Sequence, residues 1–321
     1  MSIVFIGTPN FAVPSLRRLA AEGYEIATVI TQPDRPAGRG RRPRPSPVKL
    51  TALELGLPLF QPPTLRDPDA LAAVAAIAPE IIVAVAYGQI LRQEFLDIPP
   101  RGVLNVHPSI LPRYRGPSPI PAAILAGDDE TGVSIILMDA GMDSGPILAQ
   151  RRLRIELSDT TDSLSQKLAG VAAELLAETL PRWLKDEIAA QPQEAALATR
   201  CPLLRKEDGE IDWTRPALHI WRQVRAYNPW PGAQTHVDGQ PLQIWQAWPL
   251  QGDSGSSPGT VVALRPEQRT QLPPDVGPEA LAVQTGDGLL ALLSLQRAGR
   301  KALSAGEFLR GMPGIVGRRL G

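Results

Sequence analysis

Asn105 and His107 stand two residues apart in "GVLNVHPSILPRYRG", at the end of an apolar run that Pro108 stops. Side chains alternate along a strand, so the amide and the imidazole share one face. Farther along, Asp143 lies between Gly141 and Gly145 in "DAGMDSG", a loop able to bend closely around a ligand. An amide, an imidazole and a carboxylate suit transfer of an acyl group to an amine. The attacking nitrogen must lose a proton, and the carbonyl oxygen gains negative charge. Asn105 offers an N–H donor to that oxygen and His107 a second. Asp143 would fix the imidazole or position a water that takes the proton. One oxyanion donor typically contributes about 10²–10³ in rate, and acid–base assistance about 10²–10⁴. No covalent nucleophile is needed. Ser109 is a poor candidate for one, because strand neighbours at this spacing cannot approach His107, and Cys201 has no evident base. Taken singly, His107 also reads as a strand-end histidine bonded to backbone, and Asp143 as a loop aspartate stabilising its own turn.

Other chemistries find less support. The three histidines, 107, 219 and 236, are far apart, and no HExxH or CxxC occurs, so no metal site is expected. There is no GxxxxGK[ST] loop and no GxSxG elbow. "GDGLLA" at 286–291 formally fits a dinucleotide pattern, but with no βαβ unit behind it a hairpin turn is the better reading. Five of the six tryptophans follow residue 210, and core packing is favoured over base stacking for most. The single cysteine, Cys201, rules out an intramolecular disulfide and fits a reducing cytoplasm. "MSIVFIG" lacks the features of a signal peptide. The most apolar window, 70–87, is cut by Pro79 and Glu80 into a helix and a strand, too short to span a membrane. A monomer is expected.

The elements that must position the trio follow from periodicity. A chain of 321 residues suggests two domains. "IVFIG", "EIATVIT", "IIVAVAYG", "GVLNVH" and "GVSIILM" read as strands, with helices between them. Ser46–Pro47 and Asp67–Pro68 mark two helix starts. This alternation predicts a doubly wound α/β sheet, and in such sheets ligands bind beyond the carboxyl ends of the strands. If the strands of Asn105 and Asp143 are neighbours, the trio converges. A long helix is expected over 160–184. The expected domains are 1–188 and 207–321, joined by a polar linker, 189–206. The second reads as a small β-rich barrel with one helix near 215–226 and a tight hairpin at Asp238–Gly239.

One connection is too long. Residues 32–49, "QPDRPAGRGRRPRPSPVK", hold six basic residues and one acid, +5. Residues 1–200 as a whole hold 20 basic and 22 acidic residues, so positive charge is concentrated in this insertion. Its five prolines keep it extended. Such segregation fits an arm that seeks phosphates.

"NVHPSILPRYRGPSPI" with the later "DAGMDSGPIL" resembles the signature of the folate-dependent formyltransferases. "FIGTPNFAVPSL", "TQPDRPAGRG", "VAYGQIL", "AGDDETGVSI", "YNPWPG" and "LLSLQRAGRKALSAGEFL" extend the likeness over essentially the whole chain, and to the methionyl-tRNA branch of the family. The resemblance implies a Rossmann-like N-terminal domain with a C-terminal OB-like β-barrel. It implies 10-formyltetrahydrofolate as donor, held partly by Ser109, Ile110, Leu111 and Pro112, with the "VAYG" backbone on the pterin side. It implies the methionyl initiator tRNA as acceptor, approached by Arg39, Arg41 and Arg42, and makes Asn105, His107 and Asp143 the catalytic trio of a translation-initiation enzyme. Ile110 stands where Leu is usual, a volume-conserving change. "RRPRP" replaces the lysines and apolar residues of many members. Lys206, Arg222, Arg225 and Arg300 are RNA-contact candidates in the barrel by charge. Relatives with a glycinamide ribonucleotide or amino-sugar nucleotide acceptor share the catalytic half, and a non-catalytic tRNA-binding module would need none of the trio.

Overall fold

The computed structural model describes residues 2–37, 42–274 and 281–321. The chain divides into two compact units, one of residues 1–120, 129–155 and 163–202, the other of 121–128, 156–162 and 203–321.

The first unit carries β1 (Ser2–Gly7), β2 (Glu25–Ile30), β3 (Arg35–Ala37), β4 (Arg42–Arg44), β5 (Leu59–Phe60), β6 (Ile81–Val85), β7 (Val103–His107), β8 (Glu130–Leu137) and β9 (Ile147–Arg154). All but β3 and β4 form one sheet, in the order β5-β2-β1-β6-β7-β8-β9. From β5 to β7 every pairing is parallel, as the helix–strand alternation predicts. β8 and β9 then run antiparallel to their neighbours. Residues 138–146, which join β8 to β9, are too few for the crossover a parallel pair requires. The helices through residue 184 are α1 (Val13–Ala21), α2 (Pro47–Glu54), α3 (Pro68–Ala76), α4 (Gln93–Leu96), α5 (Pro119–Ala126) and α6 (Thr161–Leu184). Ser46 Oγ caps α2 by accepting from Lys49 N, and Asp67 caps α3, each with proline in the first turn. Val4, Ile6, Ile82, Ala84 and Val103 pack with Val74 of α3 and Phe95 and Leu96 of α4 on one face. β6 is buried along its whole length, as befits a strand covered on both faces.

Two segments differ from expectation. The insertion, expected without structure, pairs its ends: β3 and β4 form a ribbon with Arg35 opposite Arg44 and Ala37 opposite Arg42. Arg39 and Arg41 lie outside the described residues, as does the side chain of Arg42. The polar stretch expected as a linker at 189–206 belongs to the first unit as far as Pro202. Its backbone is bridged there, Gln191 to Ile147 and Arg200 to Arg115.

The second unit contains β10 (Ala233–Val237), β11 (Gln240–Leu250), β12 (Val261–Ala263), β13 (Leu281–Gln284), β14 (Leu289–Arg297) and β15 (Leu303–Ser304), with α7 (Ala217–Ala226), α8 (Pro266–Arg269) and α9 (Ala305–Gly311). The strands make an antiparallel half-barrel ordered β10-β11-β14-β13-β12, with β15 on β14. Asp238 and Gly239, both at positive φ, form the β10–β11 turn, and "GDGLLA" spans the β13–β14 turn and the start of β14. Trp213 and Trp221 are core residues here, and Trp221 meets Trp248 edge-on at 5.6 Å. Arg225 lies 4.4 Å over Trp221 and donates to the carbonyls of Asp159 and Glu156. That internal role removes it from the RNA-contact candidates.

Candidate active site

The register of β7 sets the site. Asn105 pairs with Ala84 of β6 and Ile136 of β8, and His107 pairs with Ser134 of β8. Because β8 runs antiparallel, it carries the chain away from His107, and residues 138–146 must return. Gly145 permits the return: a Cβ there would lie 1.9 Å from the carbonyl oxygen of Leu137. Asp143 takes a left-handed φ of 51°, which aspartate tolerates better than most residues. Its carboxylate thereby comes back to the end of β7. Oδ1 accepts from Asn105 Nδ2 at 3.2 Å and lies 3.6 Å from His107 Nδ1, while Oδ2 accepts from Gly116 N at 2.8 Å. The three residues singled out in the sequence are together.

His107 is only 5% exposed. Burial pushes its pKa below the ordinary 6.5, against the pull of the Asp143 charge and the Tyr114 carbonyl. Nε2 lies 3.0 Å from Tyr114 O. A carbonyl only accepts, so Nε2 carries the hydrogen of the neutral ring. Nδ1, on the Asp143 side, is left as the nitrogen that gains or loses a proton. Cys201 is also close, its buried thiol 3.5 Å from Tyr114 O and 3.4 Å from Arg115 O. Burial pushes that thiol upward, away from a reactive thiolate.

The loop after β7 is held from beneath. Ser109 is buried and donates to Arg113 O at 2.7 Å. Ser134 Oγ donates to Ser109 O at 2.7 Å and accepts from Leu111 N at 3.0 Å. Gln150 Nε2 donates to Leu111 O and to Ser134 Oγ, each at 2.8 Å. Ser109 and Leu111 therefore turn inward, whereas Ile110 and Pro112 stay half-buried. On β6's side, Ala86 and Gly88 adopt left-handed φ of 49° and 84° and are exposed. Tyr87 between them is buried, its carbonyl accepting from Thr8 Oγ1 and Gln32 Nε2. This is where strand order reverses between β1 and β6, the usual ligand crevice of such sheets. Sequence reasoning missed Ser134, Gln150, Gly116 and Gln193. Ser134 had a signal, a lone hydroxyl inside the apolar run "GVSIILM". Gln193 had none.

Among the described residues no group of three or more His, Cys, Asp or Glu is placed to hold a metal ion. No helix there is long and apolar enough to cross a membrane. Residues 1–180 match the formyl transferase family, and residues 203–272 match the formyl transferase C-terminal domain. The chain belongs to the formyl transferase family. A methionyl-tRNA formyltransferase of Roseiflexus sp. (strain RS-1) is 49% identical, over 100% of this chain and 95% of that one. One from Nitrosococcus oceani is 45% identical, over 98% and 95%. Among solved structures, the N-formyltransferase from Helicobacter canadensis in complex with folinic acid and dTDP-3-aminofucose aligns with a TM-score of 0.67 at 17% identity, covering 92% of this chain and 98% of that one. HypX from Aquifex aeolicus in complex with tetrahydrofolic acid aligns at 0.63 and 21%, over 98% of this chain and 48% of HypX. At such identities the likeness carries the fold, a Rossmann-like first unit with a small antiparallel sheet after it. In this formyl transferase an amide, an imidazole and a carboxylate are drawn together at the end of a central strand.

Proposed function

We propose that this formyl transferase moves the formyl group of 10-formyltetrahydrofolate to the α-amino group of methionine on initiator tRNA, giving N-formylmethionyl-tRNA for translation initiation. The observation that carries the acceptor is the 49% identity, along the whole chain, to a methionyl-tRNA formyltransferase. The aligned N-formyltransferase structure that holds dTDP-3-aminofucose is only 17% identical. The reading places the enzyme in the cytoplasm as a monomer.

The folate carrier supplies a formyl group on nitrogen, open to attack by an amine. The half-buried side chains of Ile110 and Pro112 and the exposed backbone at Ala86 and Gly88 fit such a carrier, and Ser134 and Gln150 hold the 109–112 loop to receive it. Asn105 gives one amide hydrogen to Asp143. Its other amide hydrogen is the donor for the carbonyl oxygen as charge develops there. His107 keeps Nε2–H on Tyr114 and takes the proton of the attacking amine at Nδ1, directly or through water. The imidazolium so formed faces the Asp143 carboxylate. Returning that proton to the departing carrier nitrogen closes the cycle.

Arg39, Arg41 and Arg42 would contact phosphates at the acceptor end of the tRNA. At the base of the arm, Arg35 and Arg44 stand directly opposite each other across the β3–β4 ribbon. Like charges so placed repel, and a bound phosphate relieves that cost. Lys49 pairs with Asp34 at 2.8 Å, and Gln61 donates to Asp34 and to Gln32 O.

The test is incubation with 10-formyltetrahydrofolate and methionine-charged initiator tRNA, followed by assay for formylmethionine. Asn105→Ala should lower turnover by about 10²–10³. Formylation of glycinamide ribonucleotide or an amino-sugar nucleotide in place of the charged tRNA would refute the assignment.

A further inference from the structure

Apart from one short 3-10 turn at Ala195–Leu197, the segment from 191 to 201 is irregular, and it touches the site at several points. Tyr114 N donates to Thr199 Oγ1 at 2.8 Å, Arg115 N to Thr199 O at 2.9 Å, and Cys201 N to Arg115 O at 2.9 Å. Gln193 makes the most specific contact. Its Nε2 donates to Asp143 O at 2.8 Å and to Gly145 O at 2.7 Å. Its Oε1 accepts from Arg115 Nε at 3.0 Å and Nη2 at 2.8 Å. Both amide hydrogens and both lone pairs of the oxygen are used.

We propose that Gln193 is a positioning residue for formyl transfer: its amide ties the Asp143–Gly145 backbone to Arg115 and so keeps the Asp143 carboxylate on Asn105 and His107. The proposal rests on the roles given above to that trio. Both tied segments hold the trio. Tyr114 O holds His107 Nε2, and Gly116 N holds Asp143 Oδ2, on either side of Arg115. Asp143 and Gly145 belong to a loop that doubles back against the direction of β8, with Asp143 in a left-handed conformation that costs energy for any side chain. A loop bent in this way needs its carbonyls bonded to stay in one arrangement. Gln193 bonds two of them and reaches no reacting atom, so it acts through Asp143.

Two near-isosteric variants separate positioning from simple bracing. Gln193→Glu keeps the acceptor for Arg115 but turns oxygens toward two carbonyl oxygens. Gln193→Met keeps only the volume. Both should lower kcat by about 10²-fold, the scale of a misplacement near 1 Å. KM for carrier and tRNA and the melting temperature should stay near the parent values. In an Asp143→Asn background, Gln193→Met should cost little more, because the two residues act as a unit. Unchanged kcat in the Gln193 variants overturns the proposal, as does full multiplication of the losses in the double variant. So does a kcat loss that tracks a lower melting temperature and raised KM in both variants. If Asp143→Asn itself turns over normally, the catalytic reading of the trio is what fails.

Discussion

His107 shows how one side chain is set by competing local forces. Burial favours its neutral form, and the carboxylate of Asp143 at 3.6 Å favours the cation. Burial is the larger influence, so the ring is neutral at pH 7, the form that the proposed proton transfer starts from. The sign of the linkage follows. The folded pKa lies below the unfolded 6.5, so the unfolded chain binds this proton more readily. Stability from the neutral ring is therefore complete above about pH 6.5 and is lost as pH falls below it. Asp143→Asn removes the influence that favours the cation, and the midpoint should move lower still. An NMR titration of the imidazole in the two proteins measures this directly, and a midpoint that rises in the variant would reverse the account. The same measurement follows the tautomer, since Nε2 should keep its hydrogen on Tyr114 in both.

At the scale of elements, the site depends on how a mixed sheet turns back on itself. Ser134 sits fully buried opposite His107 and serves three partners at once, Ser109 O, Leu111 N and Gln150. Ser134→Ala leaves a carbonyl and an N–H of the 109–112 loop without that hydroxyl, at a cost of about 1–3 kcal/mol for a buried group. KM for the carrier should rise well beyond any change in KM for the tRNA, as steady-state kinetics with each substrate varied would show; equal changes in both would detach the loop from carrier binding. The pairing of Asn105 with His107 was legible in the sequence because strand alternation is local, with a period of two. The caps at Ser46 and Asp67 were legible for the same reason. The reversal of β8 was not, because strand direction is decided by pairing partners far along the chain. Nor was the ribbon of β3 and β4, where two prolines hid a short ladder. The role of Gln193 lay beyond sequence reading altogether, since a glutamine in a polar stretch looks like any solvated residue until its four bonds are seen.

Over the whole molecule, charge is neutral in sum and uneven in placement. Residues 32–49 carry +5 in a chain whose formal net charge is zero. Lys49 is neutralised locally by Asp34, which leaves the five arginines of the insertion to act at a distance. An acceptor made of phosphates meets a protein with no global attraction for it, so in the proposed reading this segment supplies the main local attraction. Each phosphate contact releases counterions, and affinity then falls with salt in proportion to the number of contacts. Neutralising Arg39, Arg41 and Arg42 together should weaken binding of charged initiator tRNA and flatten the slope of log K against log salt by roughly one for each arginine lost. KM for 10-formyltetrahydrofolate should be unchanged, because the proposed reading gives the carrier to the 109–112 loop and the arm to the tRNA. A slope that stays the same in the triple variant would move the RNA contact away from the insertion and onto the second unit, where Lys206, Arg222 and Arg300 would be the next residues to neutralise.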